Sequence, residues 1–262
     1  KDGNFCFSGW DKANVINLGI LTKNHSDWYI YIKGHEGDFD FCVDTVNCDG
    51  DFSYFHTSDT EIEYTDIVEW TAFCKDKVKE HRPVFFMHTG DLCRDAVMRH
   101  YLVMNRETTG CPVRYAIGNH DYIGKSYGEE MYERLYGPTR YSFDCGGMHF
   151  IVLPMAYGDN PSCYSALDTA EWLENDLELC KGKKITVLTH DACDNDKDGF
   201  MLDLGSRVFD MRKKGLAAWV FGHYHFNLLR NDNGVLNIST SRPDSGGIDS
   251  SPAAIRKISV SE

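Results

Sequence analysis

Gly118-Asn119-His120-Asp121 stands between Gly90-Asp91 upstream and Gly222-His223-Tyr224-His225 downstream. An Asn amide oxygen and imidazole nitrogens are neutral ligands suited to intermediate divalent metals, and a preceding glycine lets the backbone pass close to a bound ion or phosphate. One such tetrapeptide says little. The series in chain order says more: Asp59, then Asp91, then Asn119 with His120, then Thr189-His190, then two histidines spaced i, i+2 at 223 and 225. These residue types in this order suit metal-dependent chemistry on a phosphoester.

Such residues need rigid elements to hold them, and the flanking sequence repeats one arrangement. Val84 to His88 is a short apolar run leading straight into Thr89-Gly90-Asp91, and Val113 to Ile117 leads likewise into Gly118. Ile185 to Leu188 delivers His190, and Ala217 to Phe221 delivers His223. Each run reads as a buried strand, so polar residues gather at strand C-termini, where open α/β sheets bind ligands. Phe52 to Thr57 reads as a further strand. Ile62 to His81 places Ile67, Trp70, Phe73, Cys74, Lys77 and Val78 at spacings of three and four, which predicts an amphipathic helix ended by Pro83. A second helix is expected over 169–180, with Ala170, Leu173, Leu177 and Cys180 buried and Glu171, Glu174, Asp176 and Glu178 on a solvated face. Tyr141 to Phe143 and His149 to Leu153, joined around Gly146-Gly147, read as a β-hairpin. His56, His88 and His149 match no ligand position and are read as structural.

The first fifty residues differ in texture. Short aromatic and β-branched runs separated by Gly, Asn and Asp predict a small all-β segment over 1–49, ahead of an αβ domain over 50–262. With 262 residues, 42% of them hydrophobic, the chain can fill a sizeable core. A formal charge of −13 disfavours a bare nucleic-acid or anionic-membrane binder, while a metal site can still draw in a small phosphate. No run approaches the roughly 20 apolar residues of a membrane helix, and no hydrophobic signal segment is read at the start. Ten cysteines are scattered without a Cys-x-x-Cys pair, which disfavours a thiolate zinc knuckle. Most are expected as buried free thiols; a bridge such as Cys42 to Cys48 stays open.

With these residues in place, the chain resembles the calcineurin-like metallophosphoesterases over about residues 52–241. Members carry Asp-x-His, Gly-Asp, Gly-Asn-His-Asp/Glu, a lone His and Gly-His-x-His on loops of a two-sheet αβ sandwich, and all but the first stand intact here. The resemblance implies an α/β fold, a four-layer αββα sandwich of two mixed sheets flanked by helices. It implies two divalent ions bridged by Asp91, the first also held by Asp59 and His225, the second by Asn119, His190 and His223. Manganese, iron and zinc are the expected metals, with magnesium admissible. His120, beside a ligand but not itself one in the family, is implied as general acid for the leaving alkoxide, with Asp95 or Asp121 orienting its imidazole. The implied activity is hydrolysis of a phosphomonoester or phosphodiester by in-line attack of a hydroxide bridging the ions, without a covalent enzyme intermediate.

One motif departs. Ser58-Asp59-Thr60-Glu61 puts Glu61 where the family usually has a histidine ligand of the first metal. A carboxylate there makes that site harder and more anionic, favouring manganese, iron or magnesium over zinc. The alternative is that Glu61 faces solvent and the first ion is weak or absent. The altered motif and the aromatic N-terminal segment also suggest a second function, a non-catalytic carbohydrate- or protein-binding module on a degenerate metal site. A nuclease would need a basic track, and the only compact basic run, Arg212-Lys213-Lys214, reads as a helix C-terminal turn closed by Gly215. The expected partner is therefore a small phosphorylated substrate, with Tyr157, Asn160, Tyr164, Asp194, Asp196 and the phosphate-clamping candidate Arg242 at the mouth of the site. A β-appendage on such a domain resembles bacterial envelope hydrolases, which suggests a periplasmic or secreted location, while the ten cysteines fix no compartment and leave localisation open.

Overall fold

The computed structural model describes residues 6–8, 16–19, 29–32, 40–42, 48 and 50–261, the last span without 64–65, 94–97, 124–126, 156–161, 163–164 and 194–198. Side chains are described from Cys48 onward, that of Arg134 excepted. Asp95, Tyr157, Asn160, Tyr164, Asp194, Asp196 and the Cys42 side chain therefore lie outside the described residues. In the first fifty residues β1 (Cys6–Ser8) pairs antiparallel with β4 (Asp40–Cys42), and β2 (Ile16–Gly19) with β3 (Tyr29–Ile32).

Alternation within the apolar runs sorts the remaining strands into two facing sheets. In the first, β5 (Phe52–Thr57), β6 (Phe86–His88) and β7 (Val113–Tyr115) run parallel, and the last strand, β16 (Arg256–Val260), pairs antiparallel with β5. The second sheet has the order β14 (Leu228–Asp232), β15 (Val235–Ser239), β13 (Leu216–Phe221), β10 (Lys184–Leu188), β9 (Met148–Val152), β8 (Tyr141–Cys145). Its four central strands are parallel and both edges antiparallel. A separate hairpin pairs β11 (Met201–Asp203) with β12 (Val208–Asp210). Residues two apart share a face, so Phe52 and Tyr54, Phe85 and Met87, Phe150 and Val152, and Ala218 and Val220 meet in the core between the sheets. The opposite faces take helices. Phe55 and Phe86 pack under α1 (Ile67–His81), while Ile151, Val187, Trp219 and Phe221 pack under α4 (Ala166–Leu179). The layers are thus α, β, β, α. Two shorter helices, α2 (Arg106–Thr109) and α3 (Glu130–Tyr136), complete the set among the described residues.

Helix boundaries differ from the periodicity for local reasons. α1 begins at Ile67 rather than Ile62, because Ile62 is held in an isolated β-bridge with Cys93. It ends at Arg82, whose left-handed backbone returns its N–H to Val78 O (2.8 Å) just before Pro83. Phe73, expected on the buried stripe, is exposed and stacks on Trp70 instead (6.0 Å). α4 starts before 169 because Ser165 caps it: Ser165 Oγ accepts from Asp168 N (3.1 Å), and Asp168 Oδ2 accepts from Ser165 N (2.8 Å).

The acidic face of α4 divides. Glu171, Glu174 and Glu178 are exposed as expected, but Asp176 is buried. It accepts hydrogen bonds from Ser142 Oγ (2.6 Å) and His149 Nε2 (3.0 Å), and His149 Nδ1 donates to Asp144 Oδ1 (2.7 Å). Arg212-Lys213-Lys214 forms a single 3-10 turn rather than the end of a longer helix, closed by Gly215. Arg212 lies over Phe200 and donates to Asp232 O, and Lys213 pairs with Asp210. That run makes no basic track for a nucleic acid.

Candidate metal centre

Each candidate ligand sits in a loop just beyond a parallel strand. Asp59 and Glu61 follow β5, Asp91 follows β6, Asn119 and His120 follow β7, His190 follows β10, and His223 and His225 follow β13. The first sheet thus contributes the carboxylates, the amide and His120, the second His190, His223 and His225. Asp59, Asp91 and His190 are buried; Glu61, Asn119, His223 and His225 are partly buried; His120 is exposed.

The loops are held in unusual backbone conformations. Of nine non-glycine residues with positive φ among the described residues, five are candidate ligands: Asp59 (54°), Glu61 (40°), Asp91 (53°), His223 (67°) and His225 (49°). A side chain in this region costs about 1–3 kcal/mol, and the surrounding bonds must over-determine it. Asp59 N donates to Gly90 O (3.0 Å), Glu61 N to Asp91 O (3.1 Å), and His223 N to both Asp59 oxygens (3.1 and 2.9 Å). Two motif glycines permit this approach by lacking a side chain. A Cβ on Gly118 would overlap the Asp91 carboxylate and amide, and one on Gly222 would meet Ser58 and stand 2.6 Å from Asp59 Oδ2.

On one side of the centre, His225 Nε2 is 3.3 Å from Asp59 Oδ1 and 3.7 Å from Glu61 Oε1. Glu61 therefore turns inward, not to solvent, and its other oxygen is 3.9 Å from the Arg242 guanidinium. On the other side, His190 Nε2 is 3.1 Å from Asp91 Oδ2 and 3.7 Å from Asp59 Oδ1, with the His223 ring 5.1 Å from the His190 ring. Asp91, His190 and His223 can point ligand atoms at one position; Glu61, Asp91 and His120 can do so at another. Asp91 belongs to both groups, which is what a bridging carboxylate requires.

Two buried atoms test whether these residues fit metal ions. Asn119 Oδ1 and His190 Nε2 have no hydrogen-bond partner. His190 Nδ1 lies 2.7 Å from Thr89 O and so carries the ring proton, which leaves the Nε2 lone pair turned toward a carboxylate oxygen. That arrangement is repulsive unless a proton or a cation lies between them. Burial disfavours a proton on His190, yet the Asp91 and Asp59 carboxylates outweigh it and raise its pKa to about 9. The hydrogen bond and charge of Asp59 raise His225 too, while burial and the neighbouring His190 lower His223. Divalent cations compete with protons for such lone pairs, and the mixed N/O donor set fits them.

Other expected residues are placed as follows. Asp121 Oδ2 accepts from Asp91 N (2.9 Å) and Gly118 N (2.8 Å), and its Oδ1 from Leu92 N (3.0 Å). It clamps two loops together, with both carboxylate oxygens engaged by these backbone amides. Burial, then the Asp91 charge, pushes the Asp121 pKa upward against these amide donors. His120 N donates to Asp91 Oδ1 (2.9 Å), which fixes its backbone while the ring stays at the exposed rim. His56 is buried between Thr240 Oγ1 (2.7 Å) and Thr89 Oγ1 (2.8 Å). His88 accepts from Gly90 N (3.2 Å) and bonds Thr60 Oγ1 (2.9 Å), bracing the Asp91 loop. The Thr89 carbonyl that orients His190 carried no sequence signal, because any residue offers one.

A profile of the calcineurin-like phosphoesterases matches residues 43–227, well over half of the chain. The chain belongs to that family. Among solved structures, this calcineurin-like phosphoesterase is similar to GAP50, described as the anchor in the inner membrane complex of Plasmodium, at 14% identity and TM-score 0.53, covering 81% of this chain and 82% of that one. It is similar to a dimetal phosphatase from Danio rerio at 12% identity and TM-score 0.51, covering 74% and 88%. A phosphopantetheinyl hydrolase from Mycobacterium tuberculosis is similar at 13% identity and TM-score 0.50, covering 79% and 95%. At these identities the likeness speaks for the fold. No curated protein matches the calcineurin-like chain.

Proposed function

We propose that this family member hydrolyses a small phosphomonoester or phosphodiester at a dinuclear centre. The observation that carries the reading is the pair of buried ligand atoms, Asn119 Oδ1 and His190 Nε2, without hydrogen bonds where loops from both sheets converge. Asp59, Glu61, Asp91 and His225 hold one ion; Asp91, Asn119, His190 and His223 hold the other. Bound divalent ions there supply an activated water nucleophile and neutralise the phosphoryl oxygens. Thr89 O fixes the His190 tautomer, so Nε2 is always the ligand atom. The exposed His120 imidazole protonates the departing oxygen, and its backbone bond to Asp91 keeps it beside the reacting centre. Arg242, partly exposed beside Glu61, supplies the positive charge that orients a phosphate oxygen.

The direct test is turnover of nitrophenyl phosphate and bis(nitrophenyl) phosphate with added manganese. Metal-dependent hydrolysis of either ester, abolished in Asn119→Ala, is expected. A second reading, a non-catalytic binding module, draws on the Glu61 departure and its proximity to Arg242, and on the fold shared with GAP50, a protein described as an anchor. Stoichiometric metal binding with no turnover of either ester would favour it and overturn the hydrolase reading.

A further inference from the structure

Cys48 and Cys145 are 97 positions apart in sequence, yet their Sγ atoms lie 2.8 Å from one another. That is inside the roughly 3.5–4.0 Å at which even carbon atoms rest in contact. The backbones meet as well: Gly146 N donates to Cys48 O (3.2 Å). Just downstream of Cys48, the Phe52 ring packs edge-on against Phe150 of the adjoining strand (6.2 Å). The two sulfurs are therefore held together by flanking contacts from both sides. Cys145 is buried and Cys48 partly exposed, whereas Cys74, Cys93, Cys111, Cys180 and Cys193 are all buried within the domain.

We propose that Cys48 and Cys145 form a disulfide in the mature protein, stapling the junction between the N-terminal β segment and the αβ domain to the outer hairpin of the second sheet. The inference stands independently of the phosphoesterase reading. Because β5 begins just after Cys48 and β8 ends at Cys145, the bond joins the two sheets covalently, at the end of β5 opposite the one that Asp59 follows. Its formation needs a disulfide-bearing oxidant. The more accessible Cys48 thiolate attacks one oxidant sulfur, releasing a thiolate and leaving a mixed disulfide. The Cys145 thiolate then attacks Cys48 Sγ and expels the second oxidant thiolate. Two protein thiols thereby lose two protons and two electrons, which the oxidant gains as two thiols. Burial, followed by the adjacent Cys48, raises the Cys145 pKa, which makes Cys48 the entering nucleophile. A bond of this kind persists in an oxidising compartment, so the chain would mature outside a reducing cytosol.

The test equilibrates the purified full chain with oxidised glutathione, denatures it without reductant, blocks free thiols with iodoacetamide and maps tryptic peptides by mass spectrometry. A peptide pair linked through Cys48 and Cys145 is expected, together with a Tm that falls on adding a phosphine reductant by roughly 5–15 °C. In Cys48→Ser, which leaves the buried partner untouched, the reductant should no longer shift Tm. Carbamidomethyl groups on both residues, glutathione retained on Cys48 alone, or linkage of either residue to another cysteine would each overturn the proposal.

Discussion

At the scale of single residues, Glu61 and His120 separate the roles that one tetrapeptide and one altered motif suggested. Glu61 turns toward His225 and stands within ion-pair reach of Arg242, so its carboxylate is available to an ion bound beside Asp59. Glu61→Ala is expected to lose one of two bound ions, read by metal analysis after gel filtration, while Glu61→His should move the preference toward zinc. Unchanged occupancy and identity in both variants would remove Glu61 from the ligand set. His120→Ala should lower kcat on alkyl esters by roughly 10²- to 10⁴-fold and spare an activated nitrophenyl ester, whose leaving group needs no proton. Equal losses on both would contradict the general-acid role. Gly118→Ala has no room against the Asp91 carboxylate and amide, so we expect about 1–3 kcal/mol of destabilisation by denaturant titration and loss of metal binding. The candidate ligands were readable because each stands in a short motif. The clamp made by Asp121 was not, because its partners are backbone amides of two other loops.

At the scale of elements, the strand-then-ligand arrangement was legible because each apolar run is short and ends abruptly in polar residues. Helix α4 shows where such reading stops. Asp176 lies three residues after Leu173 and four before Cys180, so its spacing already put it on the buried face; its charge alone argued for solvent. Ser142 and His149, on the hairpin that α4 covers, supply the partners that permit burial. Burial alone would discharge His149, but its hydrogen bonds to Asp144 and Asp176 outweigh this and raise its pKa to about 11. With an unfolded value near 6.5, that stabilisation is complete below about pH 6.5 and fades as pH rises toward 11. Asp144 works in the opposite sense. Despite burial, His149 and Lys183 lower its pKa to about 2, so its contribution holds above its ordinary range and fades in acid. Measured by thermal melting, the advantage of wild type over His149→Gln should therefore be large near pH 6 and shrink toward pH 10. A difference that stays constant across that range would show that the imidazolium does not stabilise the fold.

At the scale of the whole molecule, the loops that carry the candidate ligands close the gap between two sheets. Asp59, Glu61, Asp91 and Asn119 extend from the first, and His190, His223 and His225 from the second, so ions bound there tie the sheets together. Chelator treatment is accordingly expected to lower Tm and added manganese to restore it, because ligands that bind only the folded state stabilise it. Identical melting of chelated and loaded protein would argue against a site shared by the sheets. With a net charge of −13, the molecule as a whole repels a nucleic-acid strand.

By itself, the sequence determined the strands that lead into the candidate ligands, the family and the residue types that could ligate a metal, because these depend on local spacing and short motifs. Only the tertiary structure decided that Glu61 turns inward, that five candidate ligands share left-handed backbone, that Asn119 Oδ1 is left without a partner, that Asp176 is buried and that Cys48 meets Cys145. Each of these depends on which groups from distant strands arrive at the same place. Their proximity is set by how the two sheets pack, and no local spacing records it.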